Sequence, residues 1–120
     1  MAAQYFDELE TMSPESRQRY QTDALTAAVA RACEKSPSAR EIMDKAGAHP
    51  GDIRSLADLQ KLPITRKNDL IELEKTRQYG GYLTIPVAAV PRIFISPGPV
   101  YEPLHAESIK WFAKSFWAST

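Results

Sequence analysis

The sequence predicts a mostly α-helical chain with one or two short strands near residues 82–96. Apolar residues recur at helical spacing in one long stretch after residue 13 and in another after residue 105. Between them, glycines and prolines divide the chain into short segments. The run "RIFIS" at 92–96 is rich in the β-branched and aromatic residues that favour a strand.

The first helix is predicted over residues 14–35. Ser13 can cap it, Pro14 suits its first position, and Pro37 ends it. Its apolar stripe contains Leu25, Val29, Ala32 and Cys33. Because Cys33 lies on that stripe, we predict a small buried side chain rather than a nucleophile.

Two shorter helical segments are expected next. The first covers residues 38–46 and ends at Gly47, which readily adopts the left-handed conformation of a helix cap. The second is a short helical turn through Leu59, for which Ser55 is the predicted cap.

A third helix is predicted over residues 66–78, with Thr65 as its cap. Arg66 and Lys67 fall in its first turn, where the helix dipole disfavours cations. They are either a solvated pair that tolerates this cost or a contact for an anion or a partner.

The remainder begins with "YGGY", which breaks the third helix. Pro86 and Pro91 are unsuited to a central strand, so the paired segment should be short, about Arg92–Ile95, with extended structure only around 82–96. A final helix is predicted over 106–118, with one broad apolar face formed by Ile109, Phe112, Ala113, Phe116 and Trp117. Trp111 lies off that face, and the chain stops soon afterwards without a capping glycine, so we expect a piece of a longer protein.

Composition excludes several classes of function. Fifteen basic and fifteen acidic residues cancel, so the chain lacks the excess positive charge typical of nucleic-acid binding. One cysteine allows no intrachain disulfide, and no apolar run is long enough to span a bilayer. The N-terminus does not resemble a signal peptide, so we expect a cytoplasmic protein without membrane or nucleic-acid partners.

The usual catalytic constellations are weak here. His49, His105 and Cys33 are not spaced as metal ligands. A triad of Ser96, His105 and an acid is disfavoured because "SPG" lacks the nucleophile-elbow pattern. Two carboxylate pairs are equally unconvincing as acid–base couples: Glu72 and Glu74 point to different helix faces, and Asp7 and Glu8 are sequence neighbours.

The stretch "RIFISPGPVYEPLHAES", residues 92–108, predicts a strand, a crowded turn and the start of a helix, with His105 in the first helical turn. Glycine-rich turns of this kind cradle phosphate through backbone N–H groups. Ser96 and Gly98 could serve in this way. Pro97 and Pro99 have no N–H to offer, so the site is chemically weak.

The order of segments resembles the amino-terminal region of phenylacetate–CoA ligase-like proteins, in the AMP-forming acyl-CoA synthetase (adenylating enzyme) superfamily. The resembling features are "YFD" near the start, a long helix after "MSP", "AG..P.DI.SL.DL..LP" and "T.K.DL", in the family's order over nearly all 120 residues. The resemblance implies the N-terminal helical part of a larger α/β adenylate-forming ligase domain. Residues 1–80 would form a helical region, and residues 81–120 the start of the truncated α/β domain.

In that family the strand leads into a loop of the form Ser-Ser-Gly-Thr-Thr-Gly, followed by a variable residue and proline. Ser96, Gly98 and Pro103 match this pattern, whereas residues 97 and 99–101 depart from it. The resemblance therefore assigns weak cofactor-binding positions to Ser96 and Gly98 and no catalytic residue or metal ligand to this chain.

The resemblance also implies a two-step reaction: a carboxylate attacks ATP to give an acyl-adenylate, and the thiol of CoA then displaces AMP. The parent would use ATP, Mg²⁺, CoA and an aryl or other carboxylic acid. We expect this chain alone to be inactive and to bind none of these cofactors tightly. The alternative function is a non-catalytic helical interaction module, or a ligase relative that has lost adenylation.

Assembly is predicted from the strand and the aromatic helix face. An open strand edge is a template for pairing, and large apolar side chains need a cover. We predict self-association, as a two-fold dimer. In the alternative, the last helix packs on the helix of Leu25 and Val29 and the chain stays monomeric.

Overall fold

The computed structural model describes residues 5–118, with side chains through residue 115. Four α-helices and one two-stranded antiparallel sheet are joined by 3₁₀ turns over this range. The elements in chain order are α1 (Pro14–Lys35), α2 (Pro37–Lys45), α3 (Lys67–Glu74), β1 (Arg92–Ser96), β2 (Val100–Leu104) and α4 (Ser108–Ala118). The predicted fold class, mostly helical with a small strand component, is confirmed.

Helices α1 and α2 agree closely with the sequence signals. The Ser13 hydroxyl accepts the N–H of Ser16 at 3.2 Å and Pro14 opens α1, as predicted. The hydroxyl of Ser36 accepts the N–H of Ala39 and caps α2. Gly47 then takes a left-handed φ of 63°, which is the predicted end of the helix. Cys33 is half-buried rather than buried, because α1 is only partly covered.

Helix α3 is shorter than predicted, and the prediction of Thr65 as its cap is wrong. Arg66 occupies the cap position, and its N–H donates to the Asp69 carboxylate at 2.9 Å. The side chain that accepts a backbone N–H at the start of α3 is therefore the carboxylate of Asp69, and not the predicted hydroxyl of Thr65. Ser55 occupies the cap position of the turn Leu56–Lys61, as predicted, but its hydroxyl donates to Asp58 instead of accepting a backbone N–H.

The segment after α3 is held against the start of α2. Ser36 and Ser38 are buried, and their hydroxyls donate to the carbonyls of Gly81 and Gly80. Tyr79, Gly80 and Gly81 all have positive φ, which ends helical structure before residue 82, as "YGGY" predicted. These contacts join two parts of the chain more than 40 residues apart.

The strand prediction is confirmed for β1 but omits the second strand. β2 lies beyond the predicted extended region and pairs with β1 in the register Arg92↔Leu104 to Ser96↔Val100. β2 contains Pro103, which an edge strand tolerates, and β2 pairs only with β1 among the described residues. Helix α4 consequently starts at Ser108, so His105 precedes the helix instead of lying in its first turn.

Few apolar side chains are buried among the described residues: Met43, Ile53 and Val100. Helix α4 contacts β1 through Phe112, whose ring stacks on Phe94 with centroids 6.0 Å apart. Phe112 nevertheless remains 50% exposed. The side chains of Phe116 and Trp117, which belong to the predicted apolar face, lie outside the described part of the chain. No helix in the described range is long and apolar enough to cross a membrane.

Candidate functional site

The segment predicted to meet phosphate forms the tip of the β1–β2 hairpin. Ser96 ends β1 and pairs with Val100, and residues 97–99 form the turn between them. Val100 is buried, so the hairpin is anchored at its first β2 residue. The structure thus places Gly98 within this turn and Ser96 in the strand position directly before it.

The turn packs closely on α3. A Cβ atom built on Gly98 would lie 3.1 Å from Cδ1 of Ile71 and 3.5 Å from Cε of Lys67. Any side chain at position 98 would therefore crowd α3. The side chain of Lys67 lies beside the turn. Lys67 is one of the two cations predicted at the start of α3, and the turn is the segment expected to meet an anion.

One backbone donor near the turn is already paired with an anion. The N–H of Tyr101 is shared by both carboxylate oxygens of Glu74, at 3.2 and 3.1 Å. Since Pro97 and Pro99 have no N–H, this carboxylate holds one of the few donors that the turn can offer. The sequence pattern indicated Glu74 only as a partner of Glu72. It did not predict the contact between Glu74 and Tyr101, because these two residues meet through a hairpin that the pattern does not predict.

The structure separates the remaining sequence candidates. Ser96 and His105 lie toward opposite ends of the hairpin, which rules out a triad between them. Glu72 pairs with Lys75 at 2.6 Å, whereas Glu74 binds the hairpin, so these carboxylates do not act together. No group of three or more His, Cys, Asp or Glu side chains able to hold a metal occurs within residues 5–118.

The perturbed ionisable groups are scaffold ion pairs. A hydrogen bond from Lys114 lowers the pKa of Asp7, and the two side chains are 2.8 Å apart. A hydrogen bond from Arg77 likewise lowers the pKa of Glu41. Each shift is explained by an ion-pair partner, and neither pair includes a residue of the hairpin tip, so these pKa shifts do not mark an active site there.

Comparison with known proteins finds similar ligases. No family model matches the chain. It is 36% identical to the phenylacetate-coenzyme A ligase of Escherichia coli K12 over 97 residues, which is 81% of this chain and 21% of that enzyme. Over its matched length, the chain is similar to phenylacetate-coenzyme A ligases. It spans about a fifth of the length of this curated relative.

Solved structures support the same fold for this ligase-like chain. A 2-hydroxyisobutyryl-CoA ligase in the postadenylation state, in complex with 2-HIB-AMP, aligns with a TM-score of 0.79 and 24% identity, over 88% of this chain and 23% of that one. An open conformation of such a ligase, in complex with 2-HIB-AMP and CoA, aligns with a TM-score of 0.73 and 23% identity, over 79% of this chain and 21% of that one. The chain has the fold of one segment of a CoA ligase.

Proposed function

We propose that this chain is the N-terminal portion of an AMP-forming carboxylate–CoA ligase, which makes an acyl-adenylate from ATP and an acid and then a CoA thioester. The observation that carries the proposal is the 36% identity to a phenylacetate-coenzyme A ligase across four-fifths of the chain. The solved ligases with the same fold are complexes with an acyl-AMP and, in one case, with CoA. Residues 1–80 would be the helical region and residues 81–120 the start of the α/β domain.

Within that ligase, the hairpin tip at Ser96 and Gly98 would be the position that meets the ATP phosphates. The nearby Lys67 stem supports this role, because a cation beside the turn favours an anionic ligand. Mg²⁺ would accompany the nucleotide, held by groups other than those of the hairpin tip. The chain by itself is expected to be inactive.

A second candidate function is a relative that has lost adenylation. Its support is the contact between Glu74 and the N–H of Tyr101, together with the two prolines. A carboxylate at this amide repels phosphate and takes the hydrogen bond that phosphate would need. Such a protein would act through its surfaces instead.

ATP–pyrophosphate exchange distinguishes the ligase from the relative that has lost adenylation. It is measured with a panel of aryl acids on the longer protein that contains this chain. Exchange with any acid supports the ligase, and its absence across the panel supports the non-catalytic relative. A variant with three of the four departing loop residues restored, Pro97→Ser, Pro99→Thr and Tyr101→Gly, provides the matched comparison; the buried Val100 is left unchanged. Exchange that appears only in this variant assigns the loss to the loop.

We also propose that the isolated chain forms a two-fold dimer through β1. Three consecutive β1 side chains, Ile93, Phe94 and Ile95, are 43%, 42% and 62% exposed. β1 has one paired edge among the described residues, so its other edge offers N–H and C=O groups to a second copy. Pairing two β1 strands would cover both the edge and these side chains.

A further inference from the structure

A small cavity lies where the end of α3, the 3₁₀ turn Gln78–Gly81 and the start of β2 meet. Its volume is about 250 Å³, which suits a single charged head group better than a whole drug-sized molecule. The lining includes neither Ser96 nor Gly98 of the hairpin tip. Four side chains form it: Glu74, Gln78, Tyr79 and Tyr101.

Glu74 gives this cavity a single negative charge, because the other three lining side chains are neutral. Its carboxylate is half-buried and has no ion-pair partner among the side chains that the structure describes. Both of its oxygens share the one N–H of Tyr101, at 3.2 and 3.1 Å. A carboxylate has about four acceptor positions, so most of its capacity remains available to a ligand.

Two tyrosines add aromatic surface to the cavity. Tyr101 is 42% exposed, and Tyr79 is half-buried. Tyr79 has a φ of 51° and a ψ of 37°, a left-handed conformation that is uncommon for residues other than glycine, asparagine and aspartate. Such conformations cluster at ligand-binding sites and persist where the surrounding structure holds them. The next residue, Gly80, is held in this way, because its carbonyl accepts the hydroxyl of the buried Ser38.

We propose that this cavity binds the guanidinium group of a small monocationic ligand. The single negative charge matches one cation, and the faces of tyrosine rings attract cations. A guanidinium suits these groups better than an ammonium, because it is planar, stacks on aromatic rings and donates several hydrogen bonds in one plane. Acceptors for those donors are the Glu74 carboxylate, the Gln78 amide and the tyrosine hydroxyls. Neither ATP nor an acid takes part, so the site does not depend on the ligase proposal.

Heteronuclear NMR titration of the 120-residue chain tests the charge requirement and locates the ligand at once. The probes are N-acetylarginine amide, its neutral analogue of the same shape N-acetylcitrulline amide, and N-acetyllysine amide. We expect saturable binding of the arginine compound, with the largest shifts at the backbone amides of residues 74, 78, 79 and 101. The citrulline compound should bind at least about tenfold more weakly, because the charge-assisted hydrogen bonds are lost, and the lysine compound should also bind more weakly. Equal affinity of either analogue, no saturable binding, or largest shifts elsewhere would each overturn the proposal.

Matched variants then assign the binding groups. Glu74→Gln keeps an acceptor for the Tyr101 N–H but removes the charge, so it should raise the Kd for N-acetylarginine amide about tenfold. Glu72→Gln makes the same charge change two residues away on α3, outside the cavity, and should leave the Kd unchanged within about twofold. Tyr79→Asn removes the ring while asparagine tolerates the left-handed conformation, so it should raise the Kd about threefold.

Two outcomes decide the assignment if a variant is unsuitable or uninformative. If Glu74→Gln fails to fold by circular dichroism, Tyr79→Asn and the comparison of the arginine and citrulline compounds carry the test. Equal increases in Kd for Glu72→Gln and Glu74→Gln would overturn the assignment of binding to this cavity.

Discussion

Gly81→Ala should destabilise the chain far more than an equivalent change at another left-handed glycine. Gly81 has a φ of +73°, a conformation that costs an L-residue about 1–2 kcal/mol. A Cβ atom there would also lie 2.6 Å from Oγ of Ser38, so the hydroxyl must move. Ser38 is only 2% exposed, and its hydroxyl both donates to the carbonyl of Gly80 and accepts from Arg77.

The expected cost is the sum of these two effects. Displacing a buried hydroxyl and leaving its partner carbonyl unsatisfied costs about 1–3 kcal/mol. With the backbone cost, Gly81→Ala should lose about 2–5 kcal/mol of unfolding free energy. Gly47→Ala is the matched control: its φ is +63°, but a Cβ atom there meets nothing within 4 Å. It should lose only the backbone part, about 1–2 kcal/mol.

Urea unfolding followed by circular dichroism measures both losses on the same scale. A difference of about 1–3 kcal/mol between the two variants is the contribution of Ser38 and its hydrogen bonds. Equal losses for Gly81→Ala and Gly47→Ala would refute the reasoning, since the contact with Ser38 would then have no energetic consequence. Gly81→Ala combined with Ser38→Ala, which removes the clashing oxygen, should cost less than the two single changes added together.

Three further outcomes are expected. In light scattering over a concentration series, the measured mass of the chain should exceed its monomer mass of 13.4 kDa. Ile95→Lys should reduce that association, whereas the exposed control Ile64→Lys should not. A monomer mass at the highest soluble concentration would contradict the dimer. Calorimetry should detect no ATP binding tighter than millimolar, and a micromolar constant would refute this. The pKa of Glu41 is lowered chiefly by a hydrogen bond from Arg77. The stabilisation from this pair is therefore fully present above the pKa of the carboxyl in the unfolded state. It is lost as the pH falls through the pKa of the carboxyl in the folded state. Glu41→Gln should therefore lower stability at neutral pH and flatten the acid limb of a pH-stability curve, and an unchanged limb would assign acid sensitivity to other groups.

The local signals in the sequence predict most of the fold. The bounds of α1 and α2 depend on serine caps and prolines, whose effects act within a few residues. Helix α3 ends at Glu74, four residues before its predicted end. The segment after it is held by distant partners, the hydroxyls of Ser36 and Ser38 that donate to the carbonyls of Gly81 and Gly80. Propensity along the chain carries no information about such long-range hydrogen bonds.

The candidate site is less accessible to sequence reasoning. Ser96 and Gly98 stand out because turn residues come directly after a strand, which is a local pattern. The hairpin itself is hidden from such reasoning because two prolines occupy its turn and Pro103 lies within its second strand. Without the hairpin, nothing in the sequence brings Glu74 to residue 101, 27 positions away.

The Glu74 contact changes which residue controls the hairpin tip. The family pattern has glycine at position 101, and the tyrosine there is an obvious departure. A glycine would nevertheless present the same backbone N–H, and Glu74 would still be on α3 to accept it. Restoring the loop residues alone should therefore leave the amide paired with a carboxylate, whereas adding Glu74→Gln removes the negative charge that repels phosphate. If the loop binds nucleotide in the longer protein, the loop-restored variant should gain more ATP–pyrophosphate exchange with Glu74→Gln than without it. Lys75→Gln in the same background, a change at the neighbouring surface residue that pairs with Glu72, should give no such gain.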